Sequence, residues 1–198
     1  MKYYIGIDPD LRLLNAAVLD QNKKPLAIFL RRNKGGLGDD AVANAARSAC
    51  RLVEDVIAFF VAEEAQNEES VISLVIESQN IQYTGHTNAA NKQCLMQTAQ
   101  VAGCLLGAFS NLSTNITLVK PNIWKGNVPK SIHHRRIYSR LLWREKAGKV
   151  KEISGTVYPE LYNEFLSTWS HDKINPGDFL DINDSLGLAL YGVEIGSV

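Results

Sequence analysis

The chain opens on alternation. Residues 2 to 8, KYYIGID, run through a β-branched stretch and stop at Asp8-Pro9, which predicts a strand ending in a turn. LLNAAVLD and PLAIFLR follow at hairpin distances, so three antiparallel strands should begin the fold. RRNKGGLGDD is a polar, Gly-rich loop. From Asp40 to about Gln66 the apolar residues Val42, Ala46, Ala49, Val53, Val56, Ile57 and Phe60 recur at helical spacing, which predicts an amphipathic helix with Asp39 or Asp40 at its start. SVISLVIES is a continuous apolar run ending at Glu77, as in a buried central strand. A second long helix is expected over Asn88 to Ser110, then a fifth strand in ITLVKP. Beyond Pro121 the pattern gives a loop, a basic helix from about Ser131 to Lys146, a less regular stretch with a short helix near 159–169, and a closing helix from Asp181. Strands first, then alternating helix and strand, imply an α/β fold, a mixed five-stranded sheet flanked by helices.

At 198 residues and 45% hydrophobic, the chain can bury the core of one domain, so a single domain over 1–198 is expected. No basic-then-apolar leader and no apolar run of ~18 residues is present, and the expectation is a cytoplasmic protein without a membrane partner. Cys50, Cys94 and Cys104 lack paired or metal-ligand spacing and read as buried small side chains. A formal net charge of zero argues against a nucleic-acid protein until its distribution is examined. Residues 120 to 151 carry ten Lys or Arg and one acid, so this segment is +9 and the remainder −9. An anionic partner would be met there.

The stretch DFLDINDSLGLAL, residues 178 to 190, places Asp181 and Asp184 three apart at the front of an apolar helix. Aspartates there can simply cap the helix and complement its dipole. Their company argues for more: Asp8 ends the first strand and Glu77 the fourth. Carboxylates at the ends of adjacent central strands can converge, and a helix presenting residues i and i+3 adds two more. Four acids in one place repel unless cations neutralise them. Such hard oxygen donors suit Mg²⁺, with Mn²⁺ as a substitute, and two ions at roughly 3.5–4 Å separation can activate water for phosphodiester hydrolysis.

Taken in order, YYIGIDPDLRLLNAAVLD, LVIESQN, LVKPNIWKGNVPKSIHHRRI and DINDSLGLAL resemble the RuvC-type Holliday-junction resolvases of the ribonuclease-H-like superfamily, over residues 3 to about 192 with an insertion between about 141 and 178. The resemblance does not separate bacterial from phage-encoded members. It implies a ribonuclease-H-like fold and a homodimeric, Mg²⁺-dependent crossover junction endodeoxyribonuclease that resolves four-way DNA by paired symmetric nicks. Asp8, Glu77, Asp181 and Asp184 would be the metal-binding carboxylates. Lys130 matches a lysine near the scissile phosphate, and Lys120 matches another basic position. The helix containing Ala99, Ala102 and Gly103 corresponds to one near the family's dimer interface. Three positions depart from the family: Asp10 stands where Gly is usual, and Asn15-Ala16 replace a Thr or Ser followed by Gly.

SQNIQYTGHTNAANKQ, after Glu77, has the composition of a loop that could reach bases through Gln79 and Tyr83, or of a plain solvated connection. Lys125, Arg135, Arg136 and His133 complete the expected DNA surface, and His133 or His134 could instead aid proton transfer. His134 reads as a helix surface residue and Trp124 as an anchor for its loop. The competing readings are a nuclease for flaps, forks or RNA–DNA hybrids, and a non-catalytic branched-DNA binder. An actin-like ATPase is poorer, since the chain lacks a second lobe and a second Gly-rich phosphate loop.

Overall fold

The structure, a computed structural model, describes residues 1–33, 39–64, 70–78, 89–112, 115–141, 150–153, 156–159 and 178–196. The three opening strands are β1 (Lys2–Pro9), β2 (Leu13–Asp20) and β3 (Pro25–Arg32), followed by helix α1 (Asp39–Glu64), β4 (Val71–Glu77), α2 (Ala89–Phe109) and β5 (Asn115–Val119). They form a five-stranded sheet in the order β3-β2-β1-β4-β5, with β1–β2 and β2–β3 antiparallel and β1–β4 and β4–β5 parallel. The expected mixed sheet is therefore present. After it come a short helix α3 (Pro121–Trp124), α4 (Lys130–Arg140), a hairpin of β6 (Val150–Ile153) and β7 (Thr156–Pro159), and α5 (Phe179–Ile195).

Alternation along β1 sorts the core into two layers. Tyr3, Ile5 and Ile7 point to the face covered by α1 and α2, with Leu52, Phe59, Val101 and Leu105. Tyr4, Gly6 and Asp8 point to the opposite face, where Ile182, Leu186 and Ala189 of α5 and Ile137 of α4 pack. α5 approaches that face as closely as backbone allows. A Cβ on Gly6 would lie 2.1 Å from Ser185 O and 2.2 Å from Ala189 N, so glycine is required for helix and strand to touch. Ala17, opposite Gly6 on β2, keeps the neighbouring position small.

Several expectations are corrected. Cys50 and Cys104 are exposed and Cys94 is partly buried, because they fall off the core-facing stripes of α1 and α2. Ile57 also lies on the outer side of α1, whose buried stripe runs Ala45, Ala49, Leu52, Val56 and Phe59. The basic helix ends at Arg140, where Leu141 turns extended, and 142–149 lie outside the described residues. The β6–β7 hairpin was not anticipated. The short helix expected near 159–169 falls beyond Pro159 on residues outside the description. Among the described residues no helix is long and apolar enough to cross a membrane.

Candidate metal centre

Parallel pairing of β1 with β4 in the register Ile7↔Ile76 brings the next residues, Asp8 and Glu77, to the same end of the sheet. The contact at Gly6 seats α5 so that its first turns lie over that end. One oxygen each from Asp8, Asp181 and Asp184 falls within 4.8 Å of the others. Neither helix aspartate is the N-cap. That position belongs to Asp178, whose side chain makes no capping bond and pairs with Arg32 of β3. Asp181 is in the first turn, and Asp184 is buried on the sheet side.

Cations and hydrogen bonds surround the acids. Lys130 Nζ lies 2.8 Å from Asp184 Oδ2 and 3.8 Å from Asp181 Oδ1. Lys125 Nζ lies 3.1 Å from Glu77 Oε2 and 3.9 Å from Asp184 Oδ2. Trp124 Nε1 donates to Glu77 Oε2 at 2.9 Å, and His134 Nε2 donates to Asp184 Oδ1 at 3.0 Å. Burial, then the charges of Asp184, Glu77 and Asp181, push the Asp8 carboxyl well above the ordinary carboxylate range, with Lys125 opposing. Burial raises Asp181 too, Lys130 opposes it, and Asp10 adds to the rise. Asp184 goes the other way. Burial would raise it, but the His134 hydrogen bond and the ammonium groups of Lys130 and Lys125 outweigh that and hold it at about 2. Lys130 is raised, its burial being overcome by Asp184, Asp181 and Asp8.

The donor set fits a hard divalent cation: carboxylate oxygens converge within coordination reach, and their mutual repulsion on Asp8 is the kind a dication relieves. Asp8, Asp181 and Asp184 would hold it. Glu77, expected as a fourth ligand, stands beside the trio and is engaged by Trp124 and Lys125.

Of the expected DNA contacts, Lys120, Arg135 and Arg136 are exposed and Lys130 is 46% exposed at its side chain. Lys125 is turned inward, over the Trp124 ring at 4.8 Å and onto Glu77. His133 requires correction. It is buried with its ring edge-on to Trp124 at 4.9 Å, and burial, with His134, Lys125 and Arg136 nearby, lowers its imidazole to about 4 against the pull of Asp184. His134 is also corrected. It is 0% exposed and holds Asp184, a contact of His134 that sequence reasoning missed. Its signal was the i, i+3 spacing of His134 and Ile137 on one helix face, both buried. Trp124 anchors its segment as expected, packing against Gly187 of α5. Asp10 does not take a left-handed backbone. Its Oδ1 accepts the Arg12 N–H at 2.7 Å and closes the β1–β2 turn. Gln79 and Tyr83 lie outside the described residues.

No protein-family model matches this chain, and no curated protein matches its sequence. Among the matching solved structures is T. thermophilus RuvC in complex with Holliday junction substrate, with a TM-score of 0.54 and 11% identity over 100% of this chain and 96% of that one. The chain has the RuvC, or ribonuclease-H-like, fold.

Proposed function

We propose that this protein is a divalent-metal-dependent endonuclease that resolves four-way DNA junctions by paired nicks. The observation that carries the reading is the convergence of Asp8, Asp181 and Asp184, with Lys130 against them, at the strand ends of a RuvC-like fold. A cation held by these carboxylates would supply Lewis-acid stabilisation of the phosphate and would lower the pKa of a bound water, so that its hydroxide form can attack. The chain's own residues do the rest. His134 fixes the rotamer of Asp184 from beneath, and Trp124 and Lys125 fix Glu77 at the edge of the cluster. Lys130, half in solvent, is placed to stabilise charge building on the scissile phosphate. Lys120, Arg135 and Arg136 offer phosphate contacts on the same side of the chain's charge asymmetry.

A junction has two symmetric scissile strands and each chain one such carboxylate cluster among its described residues, so the reading includes a C2 homodimer. α2 supports it. Val101, Ala102 and Leu105 face the core, while Met96, Gly103 and Gly107 face outward, and a Cβ at either glycine would meet nothing within 4 Å.

The test is to incubate labelled four-way junction, flap, linear duplex and RNA–DNA hybrid with the protein, in Mg²⁺ or in EDTA. Asp8→Asn and Asp184→Asn are expected to abolish cutting while leaving junction binding intact. Preferential cutting of flaps or hybrids would replace the junction by those substrates. Junction binding without any cutting would make the chain a branched-DNA binder.

A further inference from the structure

Asn15 lies directly across from Asp8 in the β1–β2 register and across from Leu30 in the β2–β3 register. Residues opposed in an antiparallel pair share a face of the sheet, so Asn15 faces α5, as Asp8 does. Its neighbours on β2 confirm the face: Leu13, Ala17 and Leu19 pack in the apolar cluster of α4 and α5. Everything about the position calls for an apolar residue. It is mid-strand, 0% exposed, and flanked by leucine and alanine. Yet both polar atoms of the carboxamide, Nδ2 and Oδ1, are buried without a hydrogen-bond partner.

A buried polar group without a partner is destabilising, a loss that a Leu or Val here would avoid. Chemistry able to use the group stands one cross-strand step away, at Asp8 of the carboxylate centre. Mg²⁺-type cations keep several waters when bound by few carboxylates, and those waters need acceptors. Resting on the metal-dependent reading above, we propose that Asn15 is a neutral member of the metal centre, its Oδ1 accepting a hydrogen bond from water in the hydration shell of the cation that Asp8 holds. The carboxamide adds an acceptor without adding a fifth negative charge to a site where Asp8 is already crowded by three. It is a positioning residue: it acts through the cation's water and sets how tightly the centre is held.

The proposal makes two properties move in opposite directions. Asn15→Leu removes an unsatisfied group and is expected to raise, or leave unchanged, the thermal midpoint of the full-length protein in EDTA. The same variant is expected to bind Mn²⁺ about tenfold or more weakly, by titration calorimetry or by electron paramagnetic resonance of free Mn²⁺ without DNA. Should the larger leucine prevent folding, Asn15→Ala decides through Mn²⁺ affinity alone, with the same weakening expected. Wild-type Mn²⁺ affinity in the folded variant overturns the proposal, as does a clear drop of the Asn15→Leu midpoint in EDTA, which would make the carboxamide a structural element. Asp8→Asn serves as the reference for a disabled centre. If the wild-type protein and Asp8→Asn alike bind no Mn²⁺, the metal-dependent reading itself fails, an outcome distinct from loss in the Asn15 variants alone.

Discussion

Replacing Gly6 by alanine inserts one methyl group between β1 and α5, at the contact that sets the metal centre. The new Cβ would sit 2.1 Å from Ser185 O, 2.2 Å from Ala189 N and 2.9 Å from the Leu188 carbonyl carbon. Ordinary van der Waals contact begins at 3.4 Å, and all three obstacles are backbone, so no side chain can rotate away. The helix must withdraw by more than about 1 Å, and Asp181 and Asp184 travel with it while Asp8 stays on the sheet. Overpacking of a well-filled core costs about 1–3 kcal/mol, and a rigid backbone obstacle puts this substitution at the upper end. Catalysis should suffer about as much as stability, since a misplacement of ~1 Å in a reacting geometry costs on the order of 100-fold, about 2.7 kcal/mol. Urea denaturation in EDTA gives the first quantity, and single-turnover junction cleavage in Mg²⁺ the second. Gly107→Ala, on the outward face of α2, is the control for stability alone. A Cβ there meets nothing within 4 Å, and loss of a helical glycine should leave stability equal or up to about 1 kcal/mol higher. Wild-type stability and cleavage in Gly6→Ala would refute the contact as the element that positions the two aspartates.

Three further outcomes are expected. Lys130→Ala should slow cleavage at least about tenfold with little change in junction affinity, whereas Arg135→Ala with Arg136→Ala should weaken binding and lower its salt slope by about one per arginine removed; loss of affinity alone in both would deny Lys130 a role in cutting. His133 takes a proton near 6.5 when unfolded and only near 4 when folded, so protonation favours the unfolded chain and stability falls as pH drops from 6.5 to 4. The full window is worth up to about 3 kcal/mol. In EDTA, His133→Phe should flatten the pH dependence of the denaturation midpoint, and an unchanged slope would assign it to another group. Light scattering should give a dimer, and Gly103→Arg, on the outward face of α2, should give a monomer that nicks one strand without the paired second cut; a monomeric wild type, even on a junction, would move the substrate toward flaps or hybrids.

Much of this architecture is legible in the sequence because the strands carry strong local signals. LVIE is too apolar to lie anywhere but in the sheet centre, which places Glu77 at a strand end, and GIDP ends β1 one residue after Asp8. The i and i+3 spacing of Asp181 and Asp184 puts both on one side of α5. What the pattern hides is anything that depends on which helix face meets which partner. His134 lies in a run of cations, and average polarity makes it a surface residue, although its i, i+3 spacing to Ile137 gives the buried face. Asn15 shows in sequence only as a replaced Thr or Ser, since its isolation from partners is a property of three strands and a helix together. The β6–β7 hairpin had a local sign in the Ser154-Gly155 dipeptide between VKEI and TVYP, a pair too short to outweigh the irregular composition around it.

The carboxylate cluster joins the first strand to the last described helix, with Asp8 and Asp184 standing 176 positions apart in the chain. Contacts between such distant residues form late, because the intervening chain must be ordered before they are rewarded. A polypeptide still emerging from the ribosome, or a fragment ending anywhere between β1 and α5, therefore carries Asp8 without Asp181 and Asp184. A protein that cuts DNA would gain from this arrangement a safeguard written into its topology, since the capacity to bind the cation arrives only with the finished fold.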